Sequence, residues 1–178
     1  AAAKKTYSYA ESIKSDFQFK LEPIVSTEKR IYLQGNQAVA IGKILSGCRF
    51  QTYYPISPAT DESVYLEGHD VFDLNLPDIA DNPQIEEAAM LNNKGNIIVL
   101  QTEDEIAAIA SAMGASLSGA RSSTSTSGPG FDLMVEGLGW AGMNEVPIVV
   151  TLYQRGGPST GLPTRTEQSE LKLALTSG

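Results

Sequence analysis

The stretch NIIVLQTEDEIAAIASAMGASLSGARSSTSTSGPG, residues 96–130, decides the fold of this chain. Residues 96–101 form an apolar run that predicts a buried strand, and residues 103–120 predict a long helix rich in Ala, Ser and Gly. The hydroxyl-rich run 122–127 predicts a second strand, which is ended by a Gly-Pro-Gly turn. A strand, a helix and a strand in this order are typical of a β–α–β unit, whose two strands lie parallel in one sheet.

The same alternation continues on both sides of this stretch. It predicts an α/β fold with a mainly parallel sheet flanked by helices. Residues 1–30 carry scattered charge without a clean period, so we expect a linker or arm there, ahead of a domain over 31–178. The other predicted elements, in chain order, are a strand 31–34, a helix 38–45, a strand 49–54, a helix within 58–67, a loop 70–82, a helix 84–93, a helix 131–142 and a strand 147–153.

Composition excludes several classes of protein. The 178 residues include 42% hydrophobic but only 7% aromatic residues, which favours one soluble domain with a core of small aliphatic side chains. The formal net charge of −8 disfavours binding to nucleic acid or to an anionic membrane, and the apolar runs are too short to span a bilayer. One cysteine, Cys48, allows no internal disulfide and no iron–sulfur cluster held by this chain alone. We therefore expect a cytoplasmic protein in which Cys48 is a small buried hydrophobe.

Four features fall at the predicted carboxyl ends of strands, where α/β sheets bind their ligands. They are the motif 54–58 (YPISP), the acid Glu103, the turn 127–130 (SGPG) and Arg155. Glu103 is either an ordinary acid at a helix start or a carboxylate that transfers protons in a cleft. Arg155 either pairs with a surface acid or binds a carboxylate or phosphate through its planar guanidinium. For 54–58 and 127–130 the choice is between a rigid turn and a ligand-binding loop, and the residues alone leave all four choices open.

Five motifs in a fixed order carry a resemblance to a known family. They are 35–38 (GNQA), 54–58 (YPISP), 100–108 (LQTEDEIAA), 126–130 (TSGPG) and 154–164 (QRGGPSTGLPT). The series resembles the alpha subunit of 2-oxoacid:ferredoxin oxidoreductases, especially the archaeal type in which the gamma and alpha regions are fused. This resemblance implies a pyrimidine-type thiamine-diphosphate-binding domain, and it implies that the chain is a fragment of a longer one.

The resemblance also implies which residues hold thiamine diphosphate. In the family, a glutamate of this domain hydrogen-bonds the aminopyrimidine ring nitrogen of the cofactor. Glu103 matches that position, and Glu105 is the alternative. Gly128 and Pro129, in the turn before the next helix, are expected at the cofactor as well. The cofactor is shared with a partner chain, which completes the site.

Three further residues match substrate-binding positions of the family. Arg155 matches the arginine that grips the substrate carboxylate. Tyr54 and Ser57 belong to the proline-rich motif, whose hydroxyl assists substrate binding. The family usually has threonine where this chain has Ser57, so the hydroxyl donor is kept but the methyl that restricts its rotamer is absent.

The family reaction is the oxidative decarboxylation of a 2-oxoacid, such as pyruvate or 2-oxoglutarate, with coenzyme A to acyl-CoA and CO2, reducing ferredoxin. The chain lacks a Gly-Asp-Gly motif with a paired Asn, and it lacks a cysteine cluster. The resemblance therefore implies that Mg²⁺ and a [4Fe-4S] cluster lie on a beta subunit, and no metal ligand is expected here. Two alternatives stay open: an indolepyruvate-type relative, and a noncatalytic anion- or nucleotide-binding α/β module.

Overall fold

The computed structural model describes residues 2–14, 31–74, 83–155 and 170–177. The chain divides into two units, Ala1–Tyr32 and Leu33–Gly178. The first unit holds helix α1, Ala2–Ser12, none of whose residues is buried. The sequence predicted only a linker or arm over these residues. A helix without a buried face needs no apolar stripe, which explains why hydrophobic periodicity did not reveal it.

The second unit alternates helices and strands, as the sequence predicted. Its strand and helix order confirms the α/β assignment, and the predicted helices and strands after residue 98 lie within a few residues of their predicted bounds. The elements are α2 (Gly35–Leu45), β1 (Phe50–Tyr53), α3 (Thr60–Glu67), β2 (Val71–Asp73), α4 (Pro83–Asn92), β3 (Lys94–Asn96), β4 (Ile98–Gln101), α5 (Glu105–Leu117), β5 (Ser122–Ser127), α6 (Gly128–Met143), β6 (Ile148–Tyr153) and α7 (Glu170–Thr176).

The main sheet has four parallel strands in the order β4-β1-β5-β6. Helices cover both of its faces, as neighbouring residues on β1 show. The side chain of Gln51 donates a hydrogen bond to Ser63 on α3, whereas the hydroxyl of Thr52 donates to the carbonyl of Ala108 on α5. Because successive side chains of a strand point to opposite faces, α3 and α5 lie on opposite sides of the sheet. The predicted parallel sheet flanked by helices is confirmed.

Two apolar clusters pack between the sheet and the helices. One lies on the α2 and α3 side and includes Cys48, which is buried as predicted. The other joins α5 to α6 through Ala108, Ile109 and Met134. The side chains are mostly small aliphatics, in keeping with the low aromatic content. No helix within the described ranges combines the length and the apolar character that crossing a membrane requires.

Three predicted elements differ from the structure. Residues 31–34 form no strand. Ile31 and Tyr32 are 83% and 95% exposed, so these apolar side chains do not pack into a core. Part of the predicted loop 70–82 is strand β2, which pairs antiparallel with β3, and residues 75–82 lie outside the described residues. The run 96–101 is interrupted at Ile97, and β4 is exposed along much of its length because it is an edge strand of the main sheet.

Candidate functional site

The four parallel strands end at one edge of the sheet, and each end leads into a feature that the sequence singled out. Tyr53 at the end of β1 pairs in register with Gln101 at the end of β4, and Ser127 at the end of β5 pairs with Tyr153 at the end of β6. The loop after β1, the turn after β4, the start of α6 and the residues after β6 therefore line the same edge. This is the edge where open α/β sheets bind ligands.

Arg155 joins the loop after β1 to the end of β6. Its Nη1 donates a hydrogen bond of 2.9 Å to the carbonyl oxygen of Ser57. Among the described residues, its Nε is buried and has no hydrogen-bond partner. The side chains of Tyr54 and Ser57, in the loop that Arg155 contacts, are exposed. The structure thus brings Arg155 together with the YPISP loop, and it leaves the guanidinium with a donor that a carboxylate can accept from.

Unpaired buried polar atoms gather at the ends of β5 and β6. Within the described parts of the chain, Ser127 Oγ and Gln154 Oε1 also have no hydrogen-bond partner. Ser127 is fully buried. A buried polar atom without a partner costs about 1–3 kcal/mol, so three such atoms near the ends of β5 and β6 mark this edge as a candidate ligand site. No role for the Gln154 side chain was predicted, because a glutamine at a strand end carries no pattern of its own.

The two candidate acids, Glu103 and Glu105, lie in different surroundings. Glu103 is exposed in the turn that follows β4. Asp104 is the N-cap of α5, and its carboxylate accepts a 2.7 Å hydrogen bond from the backbone N–H of Ala107. Glu105 begins α5 and is only 5% exposed. No described residue hydrogen-bonds its carboxylate, and its place in the first turn of α5 gives the negative charge the favourable field of the helix N-terminus.

The Glu105 carboxylate lies against the first turn of α6. A Cβ atom built on Gly130 would stand 2.5 Å from Glu105 Oε1 and would also clash with the Thr126 hydroxyl. Only a residue without a side chain leaves this space to the carboxylate. Gly128 is buried in the same turn and Pro129 is exposed. The predicted SGPG turn is therefore the N-terminus of α6, and it contacts Glu105 rather than Glu103.

A buried polar network lies beneath this edge on the α2 and α3 side. The ammonium of Lys43 on α2 pairs with the carboxylate of Glu62 on α3, and it donates a 3.1 Å hydrogen bond to Gln51 Oε1. The hydroxyl of Tyr153 donates to Glu62 Oε2 at 2.7 Å. Burial raises the pKa of the Tyr153 hydroxyl, and its hydrogen bond to Glu62 and the charge of that carboxylate raise it further.

Strand β5 supplies the rest of this network, because all six of its side chains carry hydroxyls and all six are buried. Gln51 Nε2 donates to Ser125 Oγ at 3.0 Å, and the Ser123 hydroxyl donates to Gln51 Oε1. The sequence predicted the strand but missed the network. One feature of the sequence could have indicated the network: Lys43, a charged residue, lies at helical spacing from Ala40 and Ile44, on the buried face of α2.

A second tyrosine–glutamate hydrogen bond ties α3 to the sheet. The hydroxyl of Tyr53 donates to Glu67 Oε1 at 2.7 Å, at the far end of α3 from Glu62. Burial, followed by this hydrogen bond and by the charge of Glu67, raises the pKa of Tyr53 from 10.0 to about 12. Over the described ranges, no group of three or more His, Cys, Asp or Glu side chains is arranged to hold a metal ion.

Proteins similar in sequence to this chain support the family resemblance of its five motifs. It is 54% identical over 177 residues to the 2-oxoacid:ferredoxin oxidoreductase 1, subunit alpha, of Sulfurisphaera tokodaii, a match that covers 99% of this chain and 26% of that protein. It is 43% identical over 143 residues to the 2-oxoglutarate synthase subunit KorA of Methanothermobacter thermautotrophicus, covering 80% of this chain and 32% of that protein. The chain thus spans about a quarter of the length of the Sulfurisphaera relative.

A solved structure and a family model extend this agreement. The 2-oxoglutarate:ferredoxin oxidoreductase from Magnetococcus marinus with 2-oxoglutarate, coenzyme A and succinyl-CoA bound matches with a TM-score of 0.64 and 38% identity, over 96% of this chain and 27% of that chain. The family model described as "Pyruvate flavodoxin/ferredoxin oxidoreductase, thiamine diP-bdg" matches residues 41–178. The resemblance predicted from the five motifs is confirmed. The chain belongs to the pyruvate flavodoxin/ferredoxin oxidoreductase family, in its thiamine-diphosphate-binding part.

Proposed function

We propose that this chain forms the pyrimidine-binding part of the alpha subunit of a 2-oxoacid:ferredoxin oxidoreductase. The reaction converts a 2-oxoacid and coenzyme A to acyl-CoA and CO2, and the two electrons released reduce ferredoxin. The observation that carries the proposal is Glu105, a residue only 5% exposed whose carboxylate no described residue hydrogen-bonds and for which Gly130 leaves room. The family and the names of the relatives support the same reaction.

The surroundings of Glu105 fit thiamine diphosphate better than those of Glu103. A carboxylate that holds a ring nitrogen acts best where little water competes for it, and Glu105 is only 5% exposed and lies against Gly130. Glu103 is exposed, so water competes for its carboxylate. We therefore assign the aminopyrimidine contact to Glu105, the alternative that the motif 100–108 left open, with Gly128 and Pro129 beside it. When bound, the cofactor supplies the carbanion chemistry that decarboxylation of a 2-oxoacid requires.

The substrate carboxylate is assigned to Arg155. Its half-buried guanidinium has an unpaired Nε among the described residues, and its Nη1 donates to the Ser57 carbonyl, which orients the guanidinium along the YPISP loop. The exposed hydroxyls of Tyr54 and Ser57 lie on the loop that Arg155 contacts, where they can donate to the oxygens of a 2-oxoacid. These residues bind and orient the substrate, and Glu105 holds the cofactor.

The remaining machinery is assigned to a beta subunit. Mg²⁺, the diphosphate contacts and a [4Fe-4S] cluster are placed there, because this chain carries one cysteine and none of its motifs is typical of a Mg²⁺–diphosphate site. The relatives are named as alpha subunits, which supports a complex of several chains. Ferredoxin is the electron acceptor, coenzyme A is the co-substrate, and the complex is placed in the cytoplasm.

Pyruvate and 2-oxoglutarate are the first substrates to compare. One relative is named a 2-oxoglutarate synthase subunit, and the matching solved structure contains 2-oxoglutarate. Both acids present the same 2-oxo carboxylate group, so Arg155 serves either one. An aryl 2-oxoacid such as indolepyruvate tests the indolepyruvate-type alternative in the same assay.

The full-length subunit, reconstituted with its beta subunit, tests the proposal through reduction of a viologen dye that depends on a 2-oxoacid and coenzyme A. Glu105→Gln removes the carboxylate but keeps the side-chain size, and Glu103→Gln is the matched control two residues away. We expect Glu105→Gln to lower kcat by about 100-fold or more, since a group that acts in the transition state is lost, whereas Glu103→Gln stays within about twofold.

The two glutamates give outcomes that separate the assignments. A large loss in Glu103→Gln with a normal Glu105→Gln would transfer the cofactor contact to Glu103. If the wild-type complex shows no thiamine-dependent dye reduction with any of the three acids, the proposed reaction is wrong. Saturable binding of inorganic phosphate by that inactive complex would support the noncatalytic anion-binding alternative.

A further inference from the structure

The buried network beneath the site connects two segments that the proposed function uses. Tyr153 is the last residue of β6, and Arg155 follows two residues later. Glu62 lies in the first turn of α3, directly after the loop that contains Ser57. The hydrogen bond from Tyr153 to Glu62 and the hydrogen bond from Arg155 to Ser57 therefore tie the same end of β6 to the same loop and helix start.

These two bonds differ in their exposure to water. The Arg155–Ser57 bond is exposed, so water can compete with it. Glu62 is fully buried, and Lys43, only 7% exposed, neutralises its charge within the protein. A charged acceptor makes the Tyr153 hydrogen bond stronger than one between neutral groups. Of the two ties, the part-buried bond to the Glu62 carboxylate is thus the firmer anchor for the end of β6.

We propose that Tyr153 and Glu62, with Lys43 as the counter-ion, are positioning residues that align Arg155 with the YPISP loop for binding the substrate carboxylate. None of the three side chains needs to contact the substrate. They hold the end of β6 in place through the hydrogen bond of Tyr153, so that the Arg155 guanidinium is oriented before the 2-oxoacid binds. This inference rests on the proposed function, because it takes Arg155 as the substrate-binding group.

The expected effect is on substrate binding and not on the chemical step. Arg155 is proposed to contact a carboxylate that is fully charged in the bound substrate and loses its charge as CO2 leaves. Weaker alignment therefore removes an interaction that is at least as strong in the bound substrate as in the transition state, which raises KM without lowering kcat. A purely structural role for the network predicts a lower thermal stability without a change in KM.

Tyr153→Phe in the full-length subunit, assembled with its beta subunit, isolates the hydrogen bond because the ring is kept. Tyr53→Phe is the matched control: it also removes a 2.7 Å tyrosine–glutamate bond between the sheet and α3, but that bond lies at the opposite end of the helix. We expect Tyr153→Phe to raise the KM for the 2-oxoacid by about tenfold, the equivalent of one hydrogen bond, with kcat and the KM for coenzyme A within about twofold. Tyr53→Phe should leave all three constants unchanged.

Thermal unfolding of both variants completes the test. Similar shifts in Tm, together with a KM effect in Tyr153→Phe alone, support a positioning role. Equal KM values in the two variants, or a loss of kcat in Tyr153→Phe, would overturn it. The wild-type complex separates this failure from a failure of the proposed function: an inactive wild type refutes the reaction, whereas an active wild type with a normal Tyr153→Phe refutes only the inference.

Discussion

Gly130→Ala places a methyl group into the space that the Glu105 carboxylate occupies. The new Cβ would stand 2.5 Å from Glu105 Oε1 and 2.8 Å from Glu105 Cγ. Ordinary van der Waals contact begins near 3.4 Å. The carboxylate must therefore retreat by about 0.9 Å, because the backbone of α6 holds the new methyl in place, and the Thr126 hydroxyl, which is closer still to the new Cβ, must move as well. A displacement of about 1 Å at a catalytic group lowers a rate by on the order of 100-fold.

We expect Gly130→Ala to lower kcat in the dye-reduction assay by about 100-fold, while the overpacking reduces stability by about 1–3 kcal/mol. Gly137→Ala is the matched control. It lies on the same helix α6, and its Cβ would stand 2.9 Å from the Ile109 Cγ2 on α5, so it strains the same helix pair away from Glu105. Its activity should stay within about threefold of wild type once measured below its own unfolding temperature.

Two results would refute this reasoning. Wild-type kcat in Gly130→Ala would mean that the Glu105 carboxylate either moves without consequence or is not used. An equal loss in Gly137→Ala would mean that α6 responds to any added methyl, and the effect would then be one of general packing. Kinetics and thermal unfolding of both variants, each in the assembled complex, distinguish these cases.

Two further predictions concern the buried groups. Glu62→Gln leaves the Lys43 ammonium buried without its counter-ion, so it should cost about 3–5 kcal/mol in urea unfolding of the full-length subunit, whereas the double variant Lys43→Met, Glu62→Met should lose less than Glu62→Gln. Equal losses of unfolding free energy in Glu62→Gln and in the double variant would show that the buried Lys43 charge does not need Glu62 as its counter-ion. Tyr53, whose pKa is raised from 10.0 to about 12, stays protonated in the folded state, so its contribution is complete below pH 10 and is lost between pH 10 and pH 12. The stability advantage of wild type over Tyr53→Phe should therefore shrink by about 1 kcal/mol between pH 8 and pH 11, and an advantage that is constant or grows would contradict the raised pKa.

The sequence predicted the parallel sheet and its ligand edge because both follow from patterns along the chain. Apolar runs between helices, and polar residues directly after them, suffice to place Arg155 and the YPISP loop at the same edge. Such local patterns cannot predict the hydrogen bond between Arg155 and Ser57, since it joins residues 98 positions apart. Strand 31–34 was wrongly predicted for a related reason: a short apolar run resembles a strand whether or not the fold provides a partner.

Sequence patterns alone do not decide between Glu103 and Glu105 as the buried acid. Both acids stand at the start of the same helix, and the helix dipole favours a carboxylate at either position. What separates them is the N-cap: once Asp104 takes that role, Glu105 becomes the first residue of α5 and Glu103 stays in the turn. The burial of Glu105 then follows from the contact of α5 with α6, and at Glu105 that contact requires Gly130, the third residue of α6, because a Cβ there would overlap the carboxylate.

Strand β5 explains how a site with so many polar atoms remains buried and ordered. Six hydroxyl-bearing residues in the middle of a sheet would be costly if unpaired, yet the side chains of 122–126 all find hydrogen-bond partners, and only Ser127 Oγ, at the ligand edge, has none among the described residues. The hydrogen bonding of the β5 hydroxyls thus ends at Ser127, the residue at the edge where α/β sheets bind ligands. A hydroxyl-rich strand keeps the interior small enough for α5 and α6 to approach closely, and it connects the site to the buried Lys43–Glu62 pair through Gln51. The hydrogen bonds of β5 and the Lys43–Glu62 pair therefore form one buried polar network, which reaches the end of β6 through Tyr153.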